Sequence, residues 1–319
     1  MGAMDTIPAA KRPAAQTALT AVFGALPVDV AAVPGGASGA QIFCASAGGL
    51  RTLLRVEGVP SPLRFPEQYV SWQAASDAGI APPLLYLDAP NGITASAFVD
   101  QRPLREYPGG PQALARAVGA LVRRLRTMPR SPSFTPYPEI VALLFAHVRS
   151  TRVFADGVLD PHVEHLERIR ARTPWGATVS AHNDLNPRNI LFDGARLWLI
   201  DWEQAYCNDP LVDVAIALDN FAATPELEEI LLCAALNETP DLTRLADVRA
   251  LTRLYYAGVL LSAVATMPGP PQNDLSALTR EQFLAGGSAD GARETLMALG
   301  KLFLASFLDG RPVPPLGAV

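Results

Sequence analysis

Lysine is almost missing from this 319-residue chain: of its 26 basic residues only Lys11 and Lys301 are lysine, and the other 24 are arginine. No G-x-x-x-x-G-K-[ST] phosphate loop and no V-A-I-K strand occurs, so mechanisms that place a lysine inside such a motif are excluded. A lysine Schiff base has only those two positions, both near the chain ends. Taken alone, the shortage reads as a compositional bias toward Ala, Arg and Pro. Cysteine is scarce too. Cys44, Cys207 and Cys233 make no close pair and no metal-ligand spacing, which argues against a disulfide framework or a zinc site and fits a reducing, cytoplasmic setting. An excess of positive charge is absent: the net charge of −5 argues against a nucleic-acid partner. The longest apolar run, about residues 255–267, is too short to span a bilayer, and the first residues carry no signal-peptide pattern, so no membrane partner is expected. Met4 offers a second start, and residues 1–3 read as a cloning remnant.

What is present is an ordinary globular composition, 49% hydrophobic and 18% charged, on a chain long enough to bury a substantial core. Between residues 28 and 99 the pattern is strand-like, with apolar runs at 28–33, 41–45 and 52–56 parted by glycines. Residues 67–78 have helical spacing through Tyr69, Val70, Trp72 and Ala75, with Gly79 as terminator. Runs at 84–87 and 93–99 flank Asn91-Gly92, a hairpin turn. After Asp100 the periodicity becomes helical. Residues 111–128 place Leu114, Val118, Leu121, Val122 and Leu125 on one stripe, and 138–149 and 160–172 read as further helices. Strand character returns at 178–181 and 190–201, and from about residue 209 the chain is helix-rich again. The order predicts an α+β chain with a small β-rich lobe over 1–100 and a larger α-helical lobe over 101–319, and a ligand site between two such lobes.

The densest polar cluster is Ala181-His182-Asn183-Asp184-Leu185-Asn186-Pro187-Arg188-Asn189. It runs into Ile190-Leu191-Phe192, turns at Asp193-Gly194 and returns through Leu197-Trp198-Leu199-Ile200-Asp201-Trp202-Glu203. An antiparallel return brings Asp201 back near Asn189 and Asp184. Three oxygen-bearing side chains then converge at one hairpin end. Such a set suits Mg2+, which takes few protein ligands and completes its shell with phosphate and water. Asp184 is left to accept a proton from a hydroxyl. A self-solvating turn rich in Asp and Asn is the plainer alternative; the carboxylate closing the hairpin weighs against it.

His182-x-Asp184-x-x-x-x-Asn189, followed by Ile200-Asp201-Trp202-Glu203, resembles the signature of the aminoglycoside phosphotransferase and choline kinase superfamily. The continuation Asn208-Asp209-Pro210-Leu211-Val212-Asp213 resembles it too. The His-Asn-Asp and Asp-Trp-Glu steps are most similar to bacterial choline/ethanolamine kinase-like members, whereas many aminoglycoside kinases have Gly in the place of Asn183. The resemblance implies a protein-kinase-like bilobal fold, a nucleotide-binding first lobe, and ATP-dependent phosphorylation of a small-molecule hydroxyl. It implies Asp184 as the catalytic base or hydroxyl-orienting carboxylate, and Asn189 and Asp201 as ligands of Mg2+ that bridges the nucleotide phosphates. His182 and Asp213 would support the loop, Trp202 would face the acceptor, and Glu203 would face the acceptor pocket or support the metal.

Upstream, Val33-Pro34-Gly35-Gly36-Ala37-Ser38-Gly39-Ala40 resembles the Gly-Gly-x-Ser-Asn loop of choline kinases, with Gly39 where Asn is expected. This gives Gly35, Gly36 and Ser38 to the phosphates. Leu53-Leu54-Arg55-Val56 resembles the strand on which those kinases use Arg where protein kinases use Lys. Arg55 would meet the α/β-phosphates with a two-point fork. Glu67, opening the next helix, is its expected partner, and Arg51 and Arg64 are the reserve phosphate ligands. Ala97-Phe98-Val99-Asp100 resembles the connector between lobes, so Phe98 and Val99 would offer backbone groups to adenine. The acidity of the chain suits a cationic acceptor, with a choline- or amino-alcohol-like molecule favoured. Tyr255, Tyr256, Phe283, Phe303 and Phe307 are candidates for an aromatic cage. Asp219, Glu226, Glu228, Glu229 and Asp274 are candidates for the acidic pocket of an aminoglycoside kinase. A sugar or thiamine kinase, a nucleotide-binding protein without transfer, and a metal hydrolase built on His182 and Asp184 are the alternatives. A monomer or homodimer is expected.

Overall fold

The computed structural model describes residues 3–24, 28–33, 39–58, 65, 67–173, 175–268 and 291–313. Five strands, β1 (Asp29–Ala32), β2 (Gln41–Ala47), β3 (Leu50–Val56), β4 (Leu84–Asp88) and β5 (Ile93–Ala97), form an antiparallel sheet in the order β1-β2-β3-β5-β4. The Asn91-Gly92 step joins β4 to β5, and Gly92 takes the left-handed conformation that the tight turn requires, at φ +61. Alternation along the strands sorts their side chains. Phe43, Leu54, Val56, Ile93 and Ala95 are buried on one face, in a cluster with Ala15, Ala18 and Leu19 of α1 (Arg12–Phe23). The sequence reading did not foresee α1, whose buried stripe is mostly alanine. The period of two turns Arg55 to the opposite face of β3 from Leu54 and Val56.

A second, larger hydrophobic cluster belongs to the helical part: α3 (Gly110–Thr127), α4 (Tyr137–Ser150), α5 (Asp160–Arg172), α6 (Val212–Phe221), α7 (Pro225–Ala235), α8 (Leu242–Thr266) and α9 (Ala292–Asp309). The predicted stripe of α3 buries Val118, Leu121, Val122 and Leu125. Helix α2 (Gln68–Asp77) joins this cluster through Trp72 and Ala75, and so docks the sheet-bearing part onto the helices.

Arginine adds caps at the C-terminal ends of α7 and α2. Arg123 donates to the carbonyls of Cys233 (2.7 Å) and Leu236 (3.0 Å) at the end of α7, and Arg126 to that of Ala235 (3.2 Å). Arg124 reaches the carbonyls of Ala78 (2.8 Å) and Gly79 (3.2 Å) just past α2. The last carbonyls of a helix have no partner within it, and cations there also complement the helix dipole. The helical part also holds a two-stranded ladder, β6 (Val179–Ser180) with β9 (Cys207–Asn208), and the predicted hairpin, β7 (Ile190–Phe192) with β8 (Leu197–Leu199), whose Ile190, Phe192, Leu197 and Leu199 belong to its cluster. The Leu199 N–H donates to Ile80 O at 2.9 Å, and the Arg102 N–H to Phe192 O at 2.7 Å, so the hairpin touches both the α2 exit and the connector. No helix of the described residues is long and apolar enough to cross a membrane.

Candidate active site

The loop leaving β6 hangs from a buried carboxylate. Asp213, in the first turn of α6, accepts from the backbone N–H groups of His182 and Asn183, both at 2.8 Å. Burial holds the Asp213 carboxyl above its ordinary range, against the downward pull of His182 and of those two N–H groups. Asn183 stands at φ +66 and donates from its side chain to Gln204 O (2.7 Å) while accepting from Asn208 Nδ2 (2.7 Å). His182 is wholly buried; its Nε2 lies 2.9 Å from Ile200 O and its ring meets Trp202 edge-on. It ties the loop to the returning hairpin and is turned away from solvent, which removes the support for a hydrolase built on His182 and Asp184.

Asp184 collects three side-chain donors. Asn186 Nδ2 (2.9 Å) and the Tyr256 hydroxyl (2.7 Å) donate to Oδ1, and Asn189 Nδ2 donates to Oδ2 (2.7 Å). The same Asn189 nitrogen also donates to the Asp184 carbonyl at 2.9 Å. With its nitrogen spent on Asp184, Asn189 keeps its side-chain oxygen for another partner. The Ile200 N–H donates to Asn189 O at 3.0 Å, so the hairpin return brings Asp201 to the end at which Asn189 stands. Tyr256 stacks on Phe303 (5.4 Å between centroids), with Tyr255 edge-on to it (5.9 Å) and Tyr137 beyond (5.5 Å from Tyr255). Burial, then the charge of Asp184 and the bond to it, push the Tyr256 phenol well above its ordinary value, so it remains an O–H donor. The sequence named Tyr256 only as a cage candidate. Its bond to Asp184 crosses 72 residues and has no local signature.

On the sheet side, Arg55 is 9% exposed and surrounded by carboxylates. Nε donates to Glu57 Oε1 (2.9 Å), Nη1 to Asp201 Oδ1 (3.2 Å) and Nη2 to Glu203 Oε2 (3.2 Å). Burial opposes the charge on Arg55, but Asp201, Glu57 and Glu203 hold its pKa above the ordinary arginine value. The expected partner was Glu67; that residue is exposed at the start of α2, and the carboxylates described around Arg55 are instead Glu57, Asp201 and Glu203. Strand geometry explains the difference, since Glu57 stands two residues on along the same side of the chain.

Other expectations are also corrected. Trp202 does not face an acceptor: it is 1% exposed and its indole N–H donates to Leu199 O at 3.1 Å. Phe307 is core, packed against His162 and His165. Asp219 is paired with Arg249 and Arg253, Glu228 with Arg249, and Glu226 accepts from Gln112. Glu229 lies beside Arg116 and Arg123 between α3 and α7. Phe98 and Val99 are half-buried after β5, where Arg51 lies over the Phe98 ring (4.5 Å) and pairs with Asp100. Gly35, Gly36, Ser38, Arg64, Asp274 and Phe283 lie outside the described residues.

Residues 29–248, more than half of the chain, match the model of the phosphotransferase enzyme family. A 58-residue stretch is 41% identical to Protein LicA of Haemophilus influenzae (strain Rd), a match that covers 18% of this chain and only 22% of that protein. Among solved structures, choline kinase LicA from Streptococcus pneumoniae superimposes with a TM-score of 0.65 at 16% identity, over 93% of this chain and 100% of that one. A choline/ethanolamine kinase family protein from Mesorhizobium loti gives 0.57 at 19% identity, over 95% and 96%. A spectinomycin phosphotransferase in complex with ADP and spectinomycin gives 0.60 at 13% identity, over 90% and 94%.

Proposed function

The chain belongs to the phosphotransferase enzyme family, has a kinase-like fold, and on that footing we propose that it transfers the γ-phosphoryl group of ATP to a hydroxyl of a small cationic molecule. Residues 1–100 then form the nucleotide-binding lobe and 101–319 the catalytic and acceptor-binding lobe. The observation that supports the reading best is the convergence of Asp184, Asn189 and Asp201 at one hairpin end, with Arg55 reaching Asp201 from the sheet. Asp184, its carboxylate oriented by Asn186, Asn189 and Tyr256, accepts the hydrogen of the acceptor hydroxyl and aims its oxygen for in-line attack. Arg55 meets phosphate oxygens with its fork, and the connector at Phe98 and Val99 offers backbone groups to adenine.

The residues present fit Mg2+. Asn189 has its amide oxygen available and Asp201 is partly exposed beside it, and one amide with one carboxylate is the sparse set this ion takes when phosphates and water complete its shell. When bound, it would neutralise phosphate charge there. A small amino-alcohol fits the acceptor side better than an aminoglycoside. Tyr256 and Phe303 offer aromatic surface beside the Asp184 carboxylate, while Asp219 and Glu228 are already neutralised by arginine. A cytoplasmic location goes with this reading, since all three cysteines are free thiols.

ADP release measured against choline, ethanolamine, thiamine, sugars and aminoglycosides tests the proposal. Mg2+-dependent turnover that rises with choline or ethanolamine is the expected result. Turnover confined to aminoglycosides refutes the acceptor class, and nucleotide binding without any transfer refutes the activity.

A further inference from the structure

The proposed chemistry gives no task to the buried carboxylate of Glu57. Glu57 follows β3 directly and is 4% exposed. A carboxylate buried this deeply needs a cation beside it. Arg55 supplies one, and the bond is made at Nε, 2.9 Å from Glu57 Oε1. Nε is the root of the guanidinium fork. A bond there fixes the plane of the group while the two terminal nitrogens point to Asp201 and Glu203, at 3.2 Å each. Glu57 is itself fixed. Its backbone N–H donates to Gly92 O at 2.8 Å, and its Cβ packs so close to Gly92 that a side chain there would begin 2.7 Å away. The next residue, Gly58, runs against Gly39, the last glycine of the glycine-rich segment, and a Cβ on Gly58 would collide with the Gly39 carbonyl oxygen. Glu57 therefore stands near Gly39, in the segment whose sequence resembles a phosphate loop.

We propose that Glu57 is the residue that positions Arg55 for the nucleotide phosphates, the part expected of Glu67. Nε stays on Glu57 while the terminal nitrogens exchange Asp201 and Glu203 for phosphate oxygens. The exchange leaves the Asp201 carboxylate without its cation as the phosphates arrive, so phosphate binding and release of Asp201 are one event. The inference rests on the phosphotransferase reading above.

Calorimetric titration of the full chain with Mg·ADP, and separately with adenosine, distinguishes positioning from structural support. Glu57→Gln keeps the size and an acceptor oxygen but removes the charge. It is expected to weaken Mg·ADP about tenfold and to leave adenosine unchanged. In an Arg55→Ala background the same substitution is expected to add no further loss. Unchanged Mg·ADP affinity in Glu57→Gln overturns the proposal. So does an equal loss for both ligands, or a larger loss in Glu67→Gln. If thermal melting shows that Glu57→Gln does not fold, Glu57→Asp takes its place, and unchanged Mg·ADP affinity there is again fatal. A wild-type chain that binds neither ligand overturns the phosphotransferase reading, whereas wild-type binding with an indifferent Glu57 overturns this inference alone.

Discussion

Asn183 and Asp201 stand in left-handed backbone, at φ +66 and +65, on either side of the hairpin. Most side chains resist that conformation, whereas Asn and Asp tolerate it. Strain of this kind is held only where the surroundings over-determine it, and at Asn183 the bonds to Asp213, Asn208 and the Gln204 carbonyl do so. Tyr256 is a sharper case. Its ring is clamped between Phe303 and Tyr255, so its hydroxyl is a fixed donor to Asp184 Oδ1. Tyr256→Phe is expected to lower turnover about tenfold while Mg·ADP binds as before, read by steady-state rates beside calorimetry; an unchanged rate removes Tyr256 from the account. The legibility of the site follows from the same contrast. That Asp184, Asn189 and Asp201 lie together was legible in the sequence because one loop and its hairpin hold all three. Glu57 and Tyr256 reach their partners only through the fold, and Trp202 was misjudged because an aromatic inside a motif looks the same whether it faces a ligand or the core.

Among the elements, α3 and α7 pass unusually close. A Cβ at Gly119 would lie 2.6 Å from the Leu231 carbonyl oxygen and 2.7 Å from the Ala234 Cβ. Helix propensity alone favours alanine over glycine by roughly 1 kcal/mol, but here the obstacle is backbone that cannot swing aside. Gly119→Ala is therefore expected to destabilise the fold by about 1–3 kcal/mol, seen as a lower urea midpoint; a higher midpoint would mean that the two helices separate freely. Helices with a strong apolar stripe, such as α3, and strands flanking a marked turn, such as β4 and β5, were legible because their signals are local. Helix α1 was not, since Ala15 and Ala18 become core only when the sheet covers them.

At the scale of the whole molecule, His162 is a pH-sensitive group outside the candidate site. His162 is 1% exposed, between Phe145 and Phe307, and burial lowers its pKa from 6.5 to about 4. The unfolded chain takes up this proton near pH 6.5 and the folded chain only near 4, so the contribution of His162 to stability falls as pH drops through that window. The urea midpoint of His162→Leu should accordingly gain on the wild type between those two values, and a constant gap contradicts the assignment. The hairpin with Asp184, Asn189 and Asp201 is packed into the helical cluster through Ile190, Phe192, Leu197 and Leu199 and meets the sheet through Arg55. The lysine shortage takes its meaning at this scale: arginine caps helices α2 and α7, and under the proposed function Arg55 is the cation that meets the phosphates. The most direct test of the central claim pairs turnover with binding in Asp184→Asn, with an acceptor that supports turnover in the wild type. The account predicts that ADP release falls by about a hundredfold or more while Mg·ADP still binds. Turnover at the wild-type rate would contradict it.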